Sequence, residues 1–190
     1  MASYSYPLFL HIVGVVGLFI AISLQTASLI GIVHARTVEQ VRVWCSSHKV
    51  LIRIFIISFL LTLLPGMHLT FNTWGWSTAW INASVVALLV LSGLGPLINT
   101  RRLRAIHKAS LVASDGPIPD ALARQSRDPL LWSSILGMNG LAIGIIYLMV
   151  LKPDLLGSII ALCISTLLGV GIAWFVWRLR PATTPLPSVN

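Results

Sequence analysis

Five polar side chains stand inside long apolar stretches of this 190-residue chain: His11, Gln25, His68, Asn82 and Asn139. A polar group in hydrocarbon is costly and normally faces a bundle interior, so each is a candidate for function. His11 and His68 are the sharpest pair. His11 falls a few residues inside one end of the first apolar segment. The second segment runs the opposite way and brings His68 back to a similar depth, roughly 5–8 Å below the boundary at 1.5 Å per residue. Two imidazoles at one depth on antiparallel neighbours could hold a copper ion or clamp a haem b from both faces. The plainer alternative is a pair of neutral histidines hydrogen-bonded to carbonyls or water. Met67 adjoins His68 but points about 100° away on a regular helix, so it is a poor co-ligand. Gln25, Asn82 and Asn139 read as hydrogen-bonding glue between helices, or as the lining of a polar path for a small solute or lipid.

The segments that must position these residues cover about 8–33, 50–71, 79–98, 130–151 and 155–177. Each is long enough to cross a bilayer, which takes about 20 apolar residues. The basic residues fix a direction. Twelve of the thirteen Lys and Arg fall in the gaps after the first, third and fifth segments, and only Lys152 lies elsewhere. Cytoplasmic loops near spans collect such charge. The expectation is therefore all-α: an integral membrane bundle of five transmembrane helices, N-terminus outside and C-terminus cytoplasmic, in one domain over 1–180. The Pro-rich tail 181–190 is expected to be disordered. The first apolar run is too long for a secretory signal and lacks a basic start, so it reads as a span.

Local signals mark the ends. Thr37-Val-Glu-Gln40 is a candidate capping box, from which a helix would run through Val41, Trp44 and His48 into the second span. Pro65-Gly66 is expected to interrupt that span. The uncharged loop with Trp74, Trp76 and Trp80 suits a headgroup level. Arg101 to Ser110 should continue the third helix, and Asp115-Gly-Pro-Ile-Pro119 should break it. Asp128-Pro129 and Asp154 are helix starts.

Composition excludes much. The chain is 9% charged and 56% hydrophobic, with mean hydropathy +0.90, against roughly 25% charged residues in soluble domains. The net charge of +8 sits beside spans, which points to anionic headgroups and topology, not to nucleic acid. All five acids fall in loops or at caps, which disfavours carboxylate-pair hydrolysis and transport coupled to a buried acid. Walker, Gly-x-Ser-x-Gly, His-Glu-x-x-His and Cys-x-x-Cys motifs are missing. Cys45 and Cys163 have no metal-site spacing and read as ordinary small side chains. Gly140-xxx-Gly144 permits close helix contact, within the chain or across a homodimer. His34, His48 and His107 belong to the basic side and read as solvated or headgroup-facing.

The run Leu8-Phe-Leu-His11-Ile-Val-Gly14 resembles the Leu-His-hydrophobic-hydrophobic-Gly start of a group of small bacterial membrane proteins. The group includes copper-resistance protein D-type proteins, the membrane protoporphyrinogen oxidase type and integral membrane proteins of unknown function. The stretch from His48 to Arg104 is similar to the last branch: a basic start, an apolar helix, a Trp-Gly-Trp loop, and an apolar helix ending in Arg-Arg-Leu-Arg. The similarity covers roughly the first 110 residues. In the haem-linked members it implies His11 as a cofactor-binding histidine. The branch of unknown function implies an inner-membrane protein active in binding, transport assistance or assembly and not in catalysis. That is the expectation taken forward, with a His11/His68 haem or copper protein and a small-solute or lipid transporter as alternatives.

Overall fold

The computed structural model describes residues 2–178, and the tail 181–190 lies outside the described residues. Among the described residues there is no strand, and the chain forms eight α-helices: α1 (Ala2–His34), α2 (Val38–Ser46), α3 (His48–Leu69), α4 (Ala79–Leu94), α5 (Arg101–Val112), α6 (Asp120–Ser126), α7 (Pro129–Leu151) and α8 (Leu155–Arg178). Five helical stretches, built on α1, α3, α4, α7 and α8, are long and apolar enough to cross a membrane. Their outward faces are Leu, Ile, Val and Phe, as at Val16, Ile57, Val86, Ile143 and Leu167. Such faces suit hydrocarbon and not water.

The spans assemble as two groups. α1 packs along α3, and α7 packs along α8 with α4 against both. In lipid there is no hydrophobic drive between helices, so close van der Waals contact must hold them, and small residues permit it. At the first contact a Cβ on Gly14 would lie 2.5 Å from the Thr62 amide nitrogen, and one on Gly17 would lie 2.2 Å from the Ser58 hydroxyl. At the second, a Cβ on Gly140 would lie 2.1 Å from the Ser165 carbonyl oxygen, and one on Gly169 would lie 2.2 Å from that of Leu136. Gly140 and Gly144 are therefore consumed by α8 of the same chain.

At the basic end, α2, α5 and α6 form a cap over the spans. Val38, Val41, Cys45, Leu103, Ile106 and Leu122 turn inward and join Leu29, Ile32, Leu131 and Ile135 in one buried cluster. Arg42 holds the cap together: Nε donates to the Ser110 carbonyl at 2.7 Å, Nη2 to Ala113 at 2.6 Å, and Nη1 pairs with Asp115 at 2.5 Å. Val38 N–H donates to the Gly116 carbonyl, and Gly116 N–H to the Glu39 carboxylate, at 3.0 and 3.1 Å. Arg102 pairs with Asp128. α2 docks on α1 where the Trp44 ring covers Gly31, and the Ser28 hydroxyl donates to the Trp44 carbonyl at 2.9 Å.

Several local expectations change. The capping box is not formed: Thr37 precedes α2, but the Gln40 side chain accepts from Arg36 N–H at 2.8 Å, one residue too early. The reason is that Val38, Glu39 and Thr37 are drawn to the segment around Gly116 and Pro117. The helix begun at Thr37 does not run unbroken into the second span, since Ser47 separates α2 from α3. Pro65-Gly66 does not interrupt α3, which continues to Leu69 and then through a π-turn to Trp74. A proline removes one N–H and kinks a helix without ending it when packing supports the chain on both sides, and here α1 lies along this stretch. The third span also widens into a π-helix at Gly95–Thr100 before α5. Pro96 has no N–H for the carbonyl of Ser92, four residues back, so the ladder shifts register there. At the other starts the signals are realised: Asp128 accepts from Leu130 N–H and Asp154 from Gly157 N–H, at 2.9 and 2.8 Å.

Candidate functional site

The two helix groups meet along a seam that is not filled. Towards the tryptophan-rich end a cavity of about 410 Å³ opens between α1, α3, α4 and α7. That lies within the usual size of a small-molecule pocket. Its walls are largely apolar, with Leu8, Phe19, Leu63, Leu88 and Ile145 among them. The polar groups that line it are few: Tyr4, His11, Thr62, Thr70, Ser84 and Lys152, with the indoles of Trp74 and Trp80. Three of the hydroxyls are already used inside their own helices, Thr62 on Ser58, Thr70 on Gly66 and Ser84 on Trp80. His11 is held in place by α3. Its Nδ1 lies 2.7 Å from the Thr62 carbonyl oxygen, which only an N–H can satisfy, so Nε2 is the nitrogen left for another partner in the neutral ring. Gly66 makes the room, because a Cβ there would sit 2.9 Å from His11 Nδ1.

The rim at this end is aromatic. Trp74 and Trp80 meet edge to face with centroids 5.6 Å apart, and the Lys152 ammonium lies 5.9 and 5.8 Å from their two ring centres. Lys152 takes the left-handed conformation that ends α7, which turns its side chain back over the mouth of the cavity. Cation–π contact holds the charge beside the rings. The one basic residue off the charge pattern is thus a built part of this mouth.

A second cavity of about 300 Å³ opens along the same seam at the basic end. Leu51, Ile52, Phe55 and Met138 line its apolar part, and Gln25, His48, Thr100 and Arg104 its polar part. Between the cavities the seam is closed by Ile22, Leu91 and Met138, which share one buried cluster with Ala87, Leu141 and Ala142.

The sequence-predicted residues fall in different places. His11 lines the tryptophan-end cavity, but His68 does not. On α3 it lies two residues beyond Gly66, a rotation of about 200°, and Asn72 Nδ2 donates to its carbonyl at 2.8 Å. His68 is exposed on α3, so the cavity that His11 lines does not bring the two imidazoles together. Met67, expected to point away from His68, lines the cavity instead. Gln25 lines the basic-end cavity. Asn82 is exposed and donates to the Trp76 carbonyl at 2.8 Å. Asn139 Nδ2 donates to Thr26 Oγ1 at 3.0 Å and to the Ile135 carbonyl at 2.8 Å, tying α7 to α1. No polar cavity joins Gln25, Asn82 and Asn139 among the described residues: Gln25 lines the basic-end cavity, Asn139 bonds across to α1, and Asn82 bonds to the loop before its own helix.

Sequence reasoning missed the cluster at the basic end. His48 and His107, read as solvated, have ring nitrogens buried without a hydrogen-bond partner, Nε2 and Nδ1 respectively. His48 has Arg104 and His107 as electrostatic neighbours. The available signal was the spacing of Arg104 and His107 on α5, three residues apart and so on one face. His34 has Nδ1 on the Ile30 carbonyl at 2.9 Å. Cys45 and Cys163 are free thiols, the first buried and the second exposed. No group of three or more His, Cys, Asp or Glu able to hold a metal occurs among the described residues. Comparison with protein-family models, with curated proteins and with solved structures finds no match to this chain.

Proposed function

We propose that this chain is a multi-pass inner-membrane protein of bacterial type that binds an apolar or amphipathic lipid-like molecule without transforming it. The tryptophan-rich end faces outward and the basic cap faces the cytoplasm. The observation that carries this reading is the seam cavity at the tryptophan end. It is too apolar for a polar solute, and three of its few hydroxyls are committed to their own helices. A hydrocarbon chain fits such walls. The His11 imidazole and the Lys152 ammonium at the rim suit a polar or acidic head. The orientation rests on the charge pattern, since Lys152 is the single basic residue outside the gaps after the first, third and fifth spans.

The test is native mass spectrometry of the full-length protein after extensive detergent exchange, comparing wild type with Ser84→Phe. Ser84 is 2% exposed and its side chain borders the cavity, so a ring there fills it. Wild type should retain an apolar adduct and take up a fatty amphiphile saturably, and Ser84→Phe should do neither. Equal uptake by both proteins would refute the reading. A reporter enzyme fused after Asn190 and active only in the periplasm should be silent, and activity there would reverse the orientation.

A further inference from the structure

We infer that the basic-end cavity is a second site, for the phosphate headgroup of an anionic membrane lipid, with Arg104 and His48 taking the phosphate and one acyl chain lying along Leu51 and Phe55. The site stands on its own residues, whether or not the tryptophan-end cavity holds a ligand. His48 and Arg104 both line it, from α3 and α5. His107 lies one turn beyond Arg104 on the same face of α5. The Arg104 guanidinium is a permanent cation at this wall, and the His48 ring lines it from the facing helix.

The chemistry of the cluster selects an anion. No Asp or Glu is among the described residues that line this cavity. A metal ion would find one lining imidazole, that of His48, and no carboxylate, beside a permanent guanidinium charge that repels it. A phosphate instead accepts from the Arg104 fork and from the His48 imidazole N–H together. Beside His48 and Arg104 the walls are long and apolar, with Leu51, Ile52, Phe55 and Phe59 along α3, which suits an acyl chain and not a free ion. The geometry follows from Pro96, whose missing N–H widens the chain into the π-helix carrying Gly95 and Thr100, both in the cavity wall.

The test titrates full-length protein in a non-ionic detergent with dioctanoyl phosphatidylglycerol, dioctanoyl phosphatidylcholine and inorganic phosphate, following bound species by native mass spectrometry. Phosphatidylglycerol should bind at least about tenfold more tightly than phosphatidylcholine, the difference that a charge-assisted contact supplies. Arg104→Gln should weaken it about tenfold, while Arg124→Gln, at an exposed cation outside the cavity, should change it less than about twofold. Inorganic phosphate at the lipid's concentration should not displace it. Equal binding of the two lipids, or equal loss in both arginine variants, overturns the site. Displacement by phosphate reassigns it to a free anion and overturns the lipid assignment. Ile52→Trp, which fills the apolar wall and leaves every cation in place, should abolish lipid binding as well. That variant decides the matter if Arg104→Gln does not fold, and undiminished binding by it overturns the proposal.

Discussion

Replacing Gly140 with alanine tests how the second helix group is held. A Cβ at this position would lie 2.1 Å from the Ser165 carbonyl oxygen, 2.9 Å from its carbonyl carbon and 3.2 Å from the Thr166 Cα. All three are backbone atoms, so no rotamer change relieves the contact, and α7 and α8 must separate by about 1 Å, with the loss of close packing on both sides. Overpacking of this kind costs about 1–3 kcal/mol. Alanine is also the better helix former by about 1 kcal/mol, which acts in the opposite direction. The net expectation is a loss of about 1–2 kcal/mol. Gly171 supplies the control on the same helix pair, because a Cβ there meets nothing within 4 Å. Only the propensity effect operates at that site, so Gly171→Ala should be neutral or stabilising by up to about 1 kcal/mol. Equilibrium unfolding in mixed micelles, with denaturing detergent as the variable, measures both. If Gly140→Ala proves as stable as Gly171→Ala, α7 and α8 do not meet backbone to backbone at Gly140.

Two further expectations concern side chains whose partners are resolved. Arg42→Ala should cost about 2–3 kcal/mol and loosen the cap, read as faster amide exchange over 101–126, because two partly buried carbonyls lose a charged donor. Asp115→Ala should cost under about 1 kcal/mol, since that carboxylate is 70% exposed; equal losses would contradict the assignment of the carbonyl contacts as the important ones. His11→Ala should destabilise by about 1–2 kcal/mol through the lost bond to the Thr62 carbonyl, and His68→Ala should stay within about 0.5 kcal/mol. Unfolding in mixed micelles measures that difference as well. A common spectroscopic signal abolished by either histidine substitution would instead show that the two act as one ligand pair.

Much of the fold was legible along the chain. A run of Leu, Ile and Val is a span whatever its neighbours, because the cost of exposing it to water is a property of the segment itself. Asp128-Pro129 and Asp154 are as local: each carboxylate meets an N–H two or three residues on. The cap was only half visible. The amphipathic run Leu103, Ile106 on α5 could be read, but its partners Val38, Val41 and Leu122 come from distant stretches. The same distance undid the capping box, where a contact with Gly116, 77 residues from Glu39, outweighed a pattern of four residues.

The sequence by itself determined the five apolar spans and their alternation of direction along the chain. Those depend on length, hydropathy and charge, which add along a chain. It did not determine azimuth. Which way a side chain points around its helix axis is decided by which helices touch, and glycines decide that: Gly14, Gly17 and Gly66 press α3 onto α1, and Gly140 and Gly169 press α8 onto α7. Tertiary packing thus turned His11 into the cavity and left His68 outside it. It left unfilled the seam between the two groups, where His11 and Lys152 meet one cavity and His48 and Arg104 another.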